Sequence, residues 1–93
     1  MEKSSAARFP LGFVMESPGV LASIPQDEIA QAIERHGRGD WGELCPDDVQ
    51  ENEFSLTHNF SLLSAYVSAA GIHFWVVTEA DRSATTVLLP EEY

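Results

Sequence analysis

Apolar positions along this chain fall into short runs with two different periods. Phe9 to Met15 (FPLGFVM) is an apolar run closed by Ser17-Pro18-Gly19, where Pro at the second turn position and Gly at the third suit a type II turn. This stretch reads as a strand leading into a turn. From Ser23 the period lengthens. Ser23 offers a capping oxygen, Pro25 tolerates a first helical turn, and Gln26 stands three residues after the serine. Ile29, Ile33 and His36 then share one helical face, and Gly37 supplies a left-handed stop. A second helix opens at Pro46, with Asp47 and Asp48 placing negative charge at its N-terminus. Val49, Leu56, Phe60 and Leu63 lie on one face as far as this helix continues, and Asn59 offers an earlier end.

The C-terminal third returns to strand periodicity. Leu62 to Val67 and Ile72 to Thr78 are rich in aromatic and β-branched residues, and Ala69-Ala70-Gly71 between them has hairpin length. Thr85 to Leu89 follows as another strand, ended by Pro90. The order β-α-α-β-β-β predicts an α+β domain, a small antiparallel sheet of three to four strands with two helices packed on one face. Between the helices, Gly39-Asp40-Trp41-Gly42 reads as a loop around a tryptophan anchor. Ile72 to Val77 is too apolar for an exposed edge, so it is expected to be central or paired across a homodimer. Residues 1–93 form one domain, of which 1–8, polar and short, are expected to be disordered.

Charge narrows the function classes. Fifteen acidic residues against five basic ones leave a formal net charge of −10. Direct binding of nucleic acid needs clustered Lys and Arg, and an anionic membrane surface needs the same, so neither is an expected partner. A basic protein is. One cysteine, Cys45, rules out an internal disulfide, and no charged-then-apolar leader opens the chain, so a cytoplasmic protein is expected. In that setting Arg38-Gly39-Asp40 reads as a helix exit, and the sequon Asn59-Phe60-Ser61 carries no glycan.

Candidate chemistry is sparse. The single lysine, Lys3, stands near the N-terminus, which removes the acid-acid-lysine arrangement of metal nucleases. No glycine-rich loop follows a strand, as a nucleotide or methyl-donor cofactor requires. His36, His58, His73 and Cys45 lack the close pairing of metal motifs. His36 and His58 fall near helix C-termini, where the dipole favours a cation, and Cys45 precedes a helix with no partnered base. No catalytic residue, cofactor or metal is therefore expected. Asp40, Glu43, Asp47, Asp48, Glu51 and Glu53 form an acidic stretch that reads either as a solvated face or as a docking surface for a basic partner.

Gly39-Asp40-Trp41-Gly42, Leu62-Leu63-Ser64-Ala65-Tyr66, Thr78-Glu79-Ala80-Asp81-Arg82-Ser83 and Thr85-Thr86-Val87-Leu88-Leu89-Pro90-Glu91-Glu92-Tyr93 resemble the signature of a small bacterial family labelled plasmid-related protein. Some members carry the label of a type I restriction enzyme subunit, which conflicts with the missing cofactor loop and lysine. The resemblance implies association with plasmids and other mobile elements. For the polar cluster at the end, one reading has Asp81 and Ser83 cap a turn while Arg82 pairs with Glu79 or Asp40. The other has Asp40, Trp41, Asp81, Arg82 and Thr86 converge on a small polar ligand or peptide. Together these features lead us to expect a non-enzymatic acidic accessory protein that binds a basic or nucleic-acid-binding protein. The alternative is a small ligand-binding module or enzyme built on the Asp40-Trp41 and Asp81-Arg82 loops.

Overall fold

A computed structural model describes residues 7–93, so the N-terminal segment expected to be disordered lies, apart from Ala7 and Arg8, outside the described residues. The described chain runs β1 (Phe13–Glu16), α1 (Pro18–Ser23), α2 (Gln26–Gly37), α3 (Pro46–His58), β2 (Leu62–Val67), β3 (His73–Thr78) and β4 (Ala84–Leu88). A short 3₁₀ turn, Pro90–Glu92, follows. The architecture is α+β.

Local chemistry explains most of the boundaries. Ser17-Pro18-Gly19 does not form the expected type II turn. It starts α1, because the Ser17 hydroxyl accepts the Val20 N–H at 3.1 Å and Pro18 occupies a position whose N–H would be unused. Ser23, expected to cap the next helix, ends α1 instead. The N-cap of α2 is Pro25, with Asp27 and Glu28 in the first turn to complement the dipole. α3 starts on Pro46 and stops at His58, because Asn59 turns left-handed at φ 59°. Phe60 and Leu63 therefore leave the helix, and Leu63 joins β2.

The four strands are ordered β1-β4-β3-β2. β2, β3 and β4 form an antiparallel meander, whereas β1 pairs parallel to β4, from Phe13 opposite Ala84 to Glu16 opposite Val87. The sheet is thus mixed, which corrects the purely antiparallel expectation. The reason is connectivity. β1 and β4 are distant in sequence and share no hairpin, while the three helices carry the chain from β1 across the sheet to β2, entered in the same direction.

By register, Leu62, Ser64 and Tyr66 of β2, Phe74, Val76 and Thr78 of β3, and Thr85 and Val87 of β4 share one face, and all are buried. Val20 and Ile24 from the α1 region and Ile29 and Ala32 from α2 pack on that face, where apolar burial contributes about 25 cal/mol per Å². Trp75, Val77, Leu88 and Thr86 look the other way, and Tyr93 meets the Trp75 ring edge-on at 5.5 Å. The Glu92 carboxylate takes the Gly19 N–H at 3.0 Å and the Leu89 N–H at 2.8 Å, tying the chain end to α1.

β3, the most apolar strand, is interior. The edges are β1, where Phe13 is 82% exposed, and β2. Neighbouring segments close the β2 edge. The Asn52 carboxamide of α3 donates to the Leu63 carbonyl at 2.7 Å and accepts the Leu63 N–H at 3.2 Å. Ala65 is paired by the Trp41 carbonyl and the Glu43 N–H, at 3.1 and 2.7 Å. Only glycine fits between those two residues, since Gly42 has φ +77° and an added Cβ would sit 2.0 Å from the Ala65 oxygen. Replacing Asn52 with Leu leaves both Leu63 groups without partners at a buried edge. It is expected to cost about 2 kcal/mol in urea unfolding and to speed exchange of the Leu63 amide. Unchanged protection of that amide would show that Asn52 does not close the edge.

Candidate functional site

A line of buried polar groups crosses the interface between α2 and the sheet. His36, in the last turn of α2, has no solvent exposure, and neither do Ser64, Thr78 or Thr85. Its Nδ1 lies 2.6 Å from the Ser64 hydroxyl and its Nε2 2.9 Å from the Thr78 hydroxyl. Thr78 is 2.7 Å from Thr85, whose hydroxyl donates to the Leu11 carbonyl at 2.7 Å. That carbonyl can only accept, which orients the line as far as the ring. Thr85 donates to Leu11, Thr78 donates to Thr85, and Nε2–H donates to Thr78.

Burial, reinforced by the charge of Arg82, lowers the pKa of the ring to about 4, so at neutral pH the imidazole is uncharged and Nδ1 accepts from Ser64. This corrects the reading of His36 as a helix-terminal cation. Its ring is walled by Phe9 and Trp41, both edge-on, at 5.2 and 5.7 Å. A serine hydroxyl on a histidine nitrogen has the composition of a nucleophile and its base. With both side chains fully buried, no substrate reaches them, and the line braces α2 against the sheet.

The residues singled out in the sequence are mostly spent within the fold. Asp40 receives the Arg35 guanidinium at 2.7 and 3.2 Å, which holds its carboxyl below the usual range. Arg35 also lies over the Tyr66 ring at 4.6 Å, and the Tyr66 hydroxyl donates to the Asp40 carbonyl at 2.6 Å. Burial pushes that phenol up to about 12. Trp41 is 4% exposed, stacks on Phe9, and donates from Nε1 to Glu53 at 3.0 Å. Glu53 in turn accepts the fork of Arg8 at 2.9 and 3.1 Å, so its carboxyl too is held down.

Arg82 adopts a left-handed backbone conformation and pairs with no carboxylate among the described residues. Its guanidinium donates to the carbonyls of Phe60 (2.8 Å), Ala80 (3.0 Å), Glu79 (3.1 Å) and Ser55 (3.0 Å). The anticipated partners, the carboxylates of Glu79 and Asp40, are replaced by main-chain oxygens. Ser55 lies in the last turn of α3, where unpaired carbonyls and the negative end of the dipole favour a cation. Asp81 accepts the Ser83 N–H at 3.0 Å and so caps the turn, and the Ser83 hydroxyl together with that N–H holds its carboxyl down. Thr86 sits in β4 opposite Met15 and Val77, on the sheet face away from α2. Phe9 links Trp41 to Arg82, 5.8 Å from its ring centre, but Asp81 and Thr86 do not join them, and the five residues form no common site.

The acidic stretch divides. Glu53 is paired internally, and Glu43 serves the sheet edge through its N–H. Asp47, Asp48 and Glu51 face outward on α3 and have no basic partner among the described residues. They border two adjoining hollows. The first, about 780 Å³, lies between Asp47, Gln50 and Glu51 and the aromatic pair Phe54 and Phe60. The second, about 350 Å³, continues over Leu63 and Trp75 beside Asp48 and Leu44. Ser55 lines both.

Phe54 and Phe60 are 53% and 56% exposed and stack at 6.0 Å, and the His58 ring lies on Phe54 at 3.8 Å. Sequence reading assigned these aromatics no surface role. The signal was that Phe54 falls three residues after Glu51 and seven after Asp47, on the acidic face of α3. Among the described residues, no three or more His, Cys, Asp or Glu side chains are grouped to hold a metal ion, and no helix is long and apolar enough to cross a membrane.

The protein is thus an α+β domain whose buried polar groups serve the fold and whose α3 sets Asp47, Asp48 and Glu51 beside the half-exposed Phe54 and Phe60. Comparison with protein-family models, curated proteins and solved structures gave no match.

Proposed function

We propose that this protein is a non-enzymatic, cytoplasmic accessory protein that binds a basic or nucleic-acid-binding protein through the outward side of α3. The resemblance of its Gly39-Asp40-Trp41-Gly42 and C-terminal motifs to plasmid-related proteins supports placing that role with a plasmid or other mobile element. One observation carries the reading. Each arginine is occupied within the molecule, Arg8 by Glu53, Arg35 by Asp40, Arg38 by Glu34 and Arg82 by carbonyls, whereas Asp47, Asp48 and Glu51 have no basic partner among the described residues and stand beside two half-exposed phenylalanines.

Stability neither demands nor forbids this arrangement, since Asp47 and Asp48 in the first turn of α3 gain about 0.3–1 kcal/mol each from the helix dipole. Asp47 and Glu51, one turn apart, repel by about 0.2–0.5 kcal/mol. The Asp40-Trp41 and Asp81-Arg82 loops have their polar groups engaged internally, which favours protein binding over a ligand site or enzyme built on them.

A photo-reactive residue in place of Gln50 is expected to cross-link in plasmid-bearing cells to a protein with a basic surface, while the same residue in place of Gln31 on α2 is not. Reversing Asp47, Asp48 and Glu51 to Lys should abolish the cross-link. Affinity for the isolated partner should fall on the order of tenfold between low and high salt, since exposed charges are screened within about 10 Å at 0.1 M. Binding indifferent to both salt and charge reversal would refute the proposal.

A further inference from the structure

We infer that the two hollows along α3 form one groove built for an arginine side chain of a protein segment that also carries a bulky apolar residue. This inference rests on the protein-binding reading above and names the chemistry of the bound segment. It starts from Ser55. Ser55 is 7% exposed, and its carbonyl is well used, accepting from the Asn59 N–H at 2.9 Å and from Arg82 at 3.0 Å. Its hydroxyl has no hydrogen-bond partner among the described residues. A serine inside a helix either bonds back to the carbonyl one turn earlier or turns its hydroxyl outward, and Ser55 makes no such back-bond. This one stands where the two hollows meet.

The surroundings match a guanidinium more closely than any other cation. Asp47 and Glu51 supply negative charge on one side, and the half-exposed rings of Phe54 and Phe60 supply π surface on the other, with the His58 ring already covering part of Phe54. A planar guanidinium stacks on aromatic rings while its edge donors reach carboxylates and a hydroxyl. A lysine ammonium offers the charge without the stacking plane. The second hollow, floored by Leu63 and Trp75, is the apolar continuation and fits an aromatic or branched side chain of the same segment. A free polyamine would leave that floor uncovered, and phosphate groups would be repelled by all three acids. Charge and shape together therefore select a basic protein segment over nucleic acid or a small cation.

Isotope-labelled full-length protein titrated with a synthetic hexapeptide of alternating Arg and Trp tests this directly. Expected shifts are confined to the amides of Ser55, Phe60 and Ser61 and the Trp75 indole. A Lys-Trp peptide should bind about tenfold more weakly, equivalent to about 1.4 kcal/mol. An Arg-Ser peptide should lose the Trp75 response. With an otherwise unchanged amide spectrum, Phe54→Ser should weaken Arg-Trp binding more than Lys-Trp binding, and Ser55→Ala should weaken Arg-Trp binding. Equal affinities for the Arg and Lys peptides, or shifts spread over the whole acidic surface, would overturn the arginine groove but leave a salt-sensitive protein-binding face standing. No response of α3 to either peptide, with no salt-sensitive partner from the Gln50 cross-link, would remove both.

Discussion

Acidification through the range from about 6.5 down to about 4 is expected to remove about 3 kcal/mol of folding stability through His36 alone. The folded-state pKa is depressed below the unfolded value of 6.5, so the unfolded chain takes up the proton first. The contribution is complete above the unfolded value, erodes as pH falls, and is gone below the folded value. Two hydroxyls and two aromatic rings surround the imidazole, and the charge of Arg82 opposes protonation.

The carboxyls of Asp40 and Glu53 are also depressed by their arginine partners, but they are exposed and titrate below the normal carboxylate range, giving a later, shallower limb. Urea unfolding followed by tryptophan fluorescence at stepped pH separates the two. In His36→Gln, whose loss of buried hydrogen bonds costs a further 2–4 kcal/mol, roughly, at neutral pH, the upper limb should vanish and the lower one remain. A wild-type protein equally stable at both ends of the upper window would show that the ring is solvated or already charged.

Arg82→Ala is the second large effect, about 3 kcal/mol, because a single side chain satisfies four main-chain oxygens drawn from α3, the turn after it and the β3–β4 connection. Its position at φ 62° refines the prediction. Arg82→Gly removes the same donors but relieves a left-handed backbone, and should be about 1 kcal/mol less damaging than Arg82→Ala. Arg82→Lys, keeping the charge but not the fork, should fall between wild type and Ala. Glu79→Gln should leave stability unchanged, since only the Glu79 carbonyl is engaged. If Glu79→Gln destabilised the protein as much as Arg82→Ala, a carboxylate pair would be the true support, and the carbonyl network would have to be abandoned. Calorimetry on the four variants reads all of these outcomes.

How much was legible beforehand follows from the range of the forces involved. The helix faces, the Pro46 start, the Asn59 stop and the three C-terminal strands are written in signals acting over one or two turns or a strand pair. The sequence determined them, along with the net charge of −10, and it narrowed β3 to an interior place or a pairing across a dimer, of which the fold shows the first. The exposed acids of α3 were visible in the same way, through their helical spacing.

What tertiary structure alone decided is the partner of each polar group. His36 is neutral because Ser64 and Thr78, 28 and 42 residues away, close around it. Arg82 meets carbonyls rather than carboxylates because the end of α3 lies beside its turn. β1 runs parallel to β4 because three helices intervene before the sheet resumes. Phe54, Phe60, Ser55 and Trp75 border one groove only once α3 lies along the edge of β2. Periodicity records which side of an element faces the core, but a hydrogen bond or a cavity depends on which element arrives there, and that is settled by packing across the whole chain.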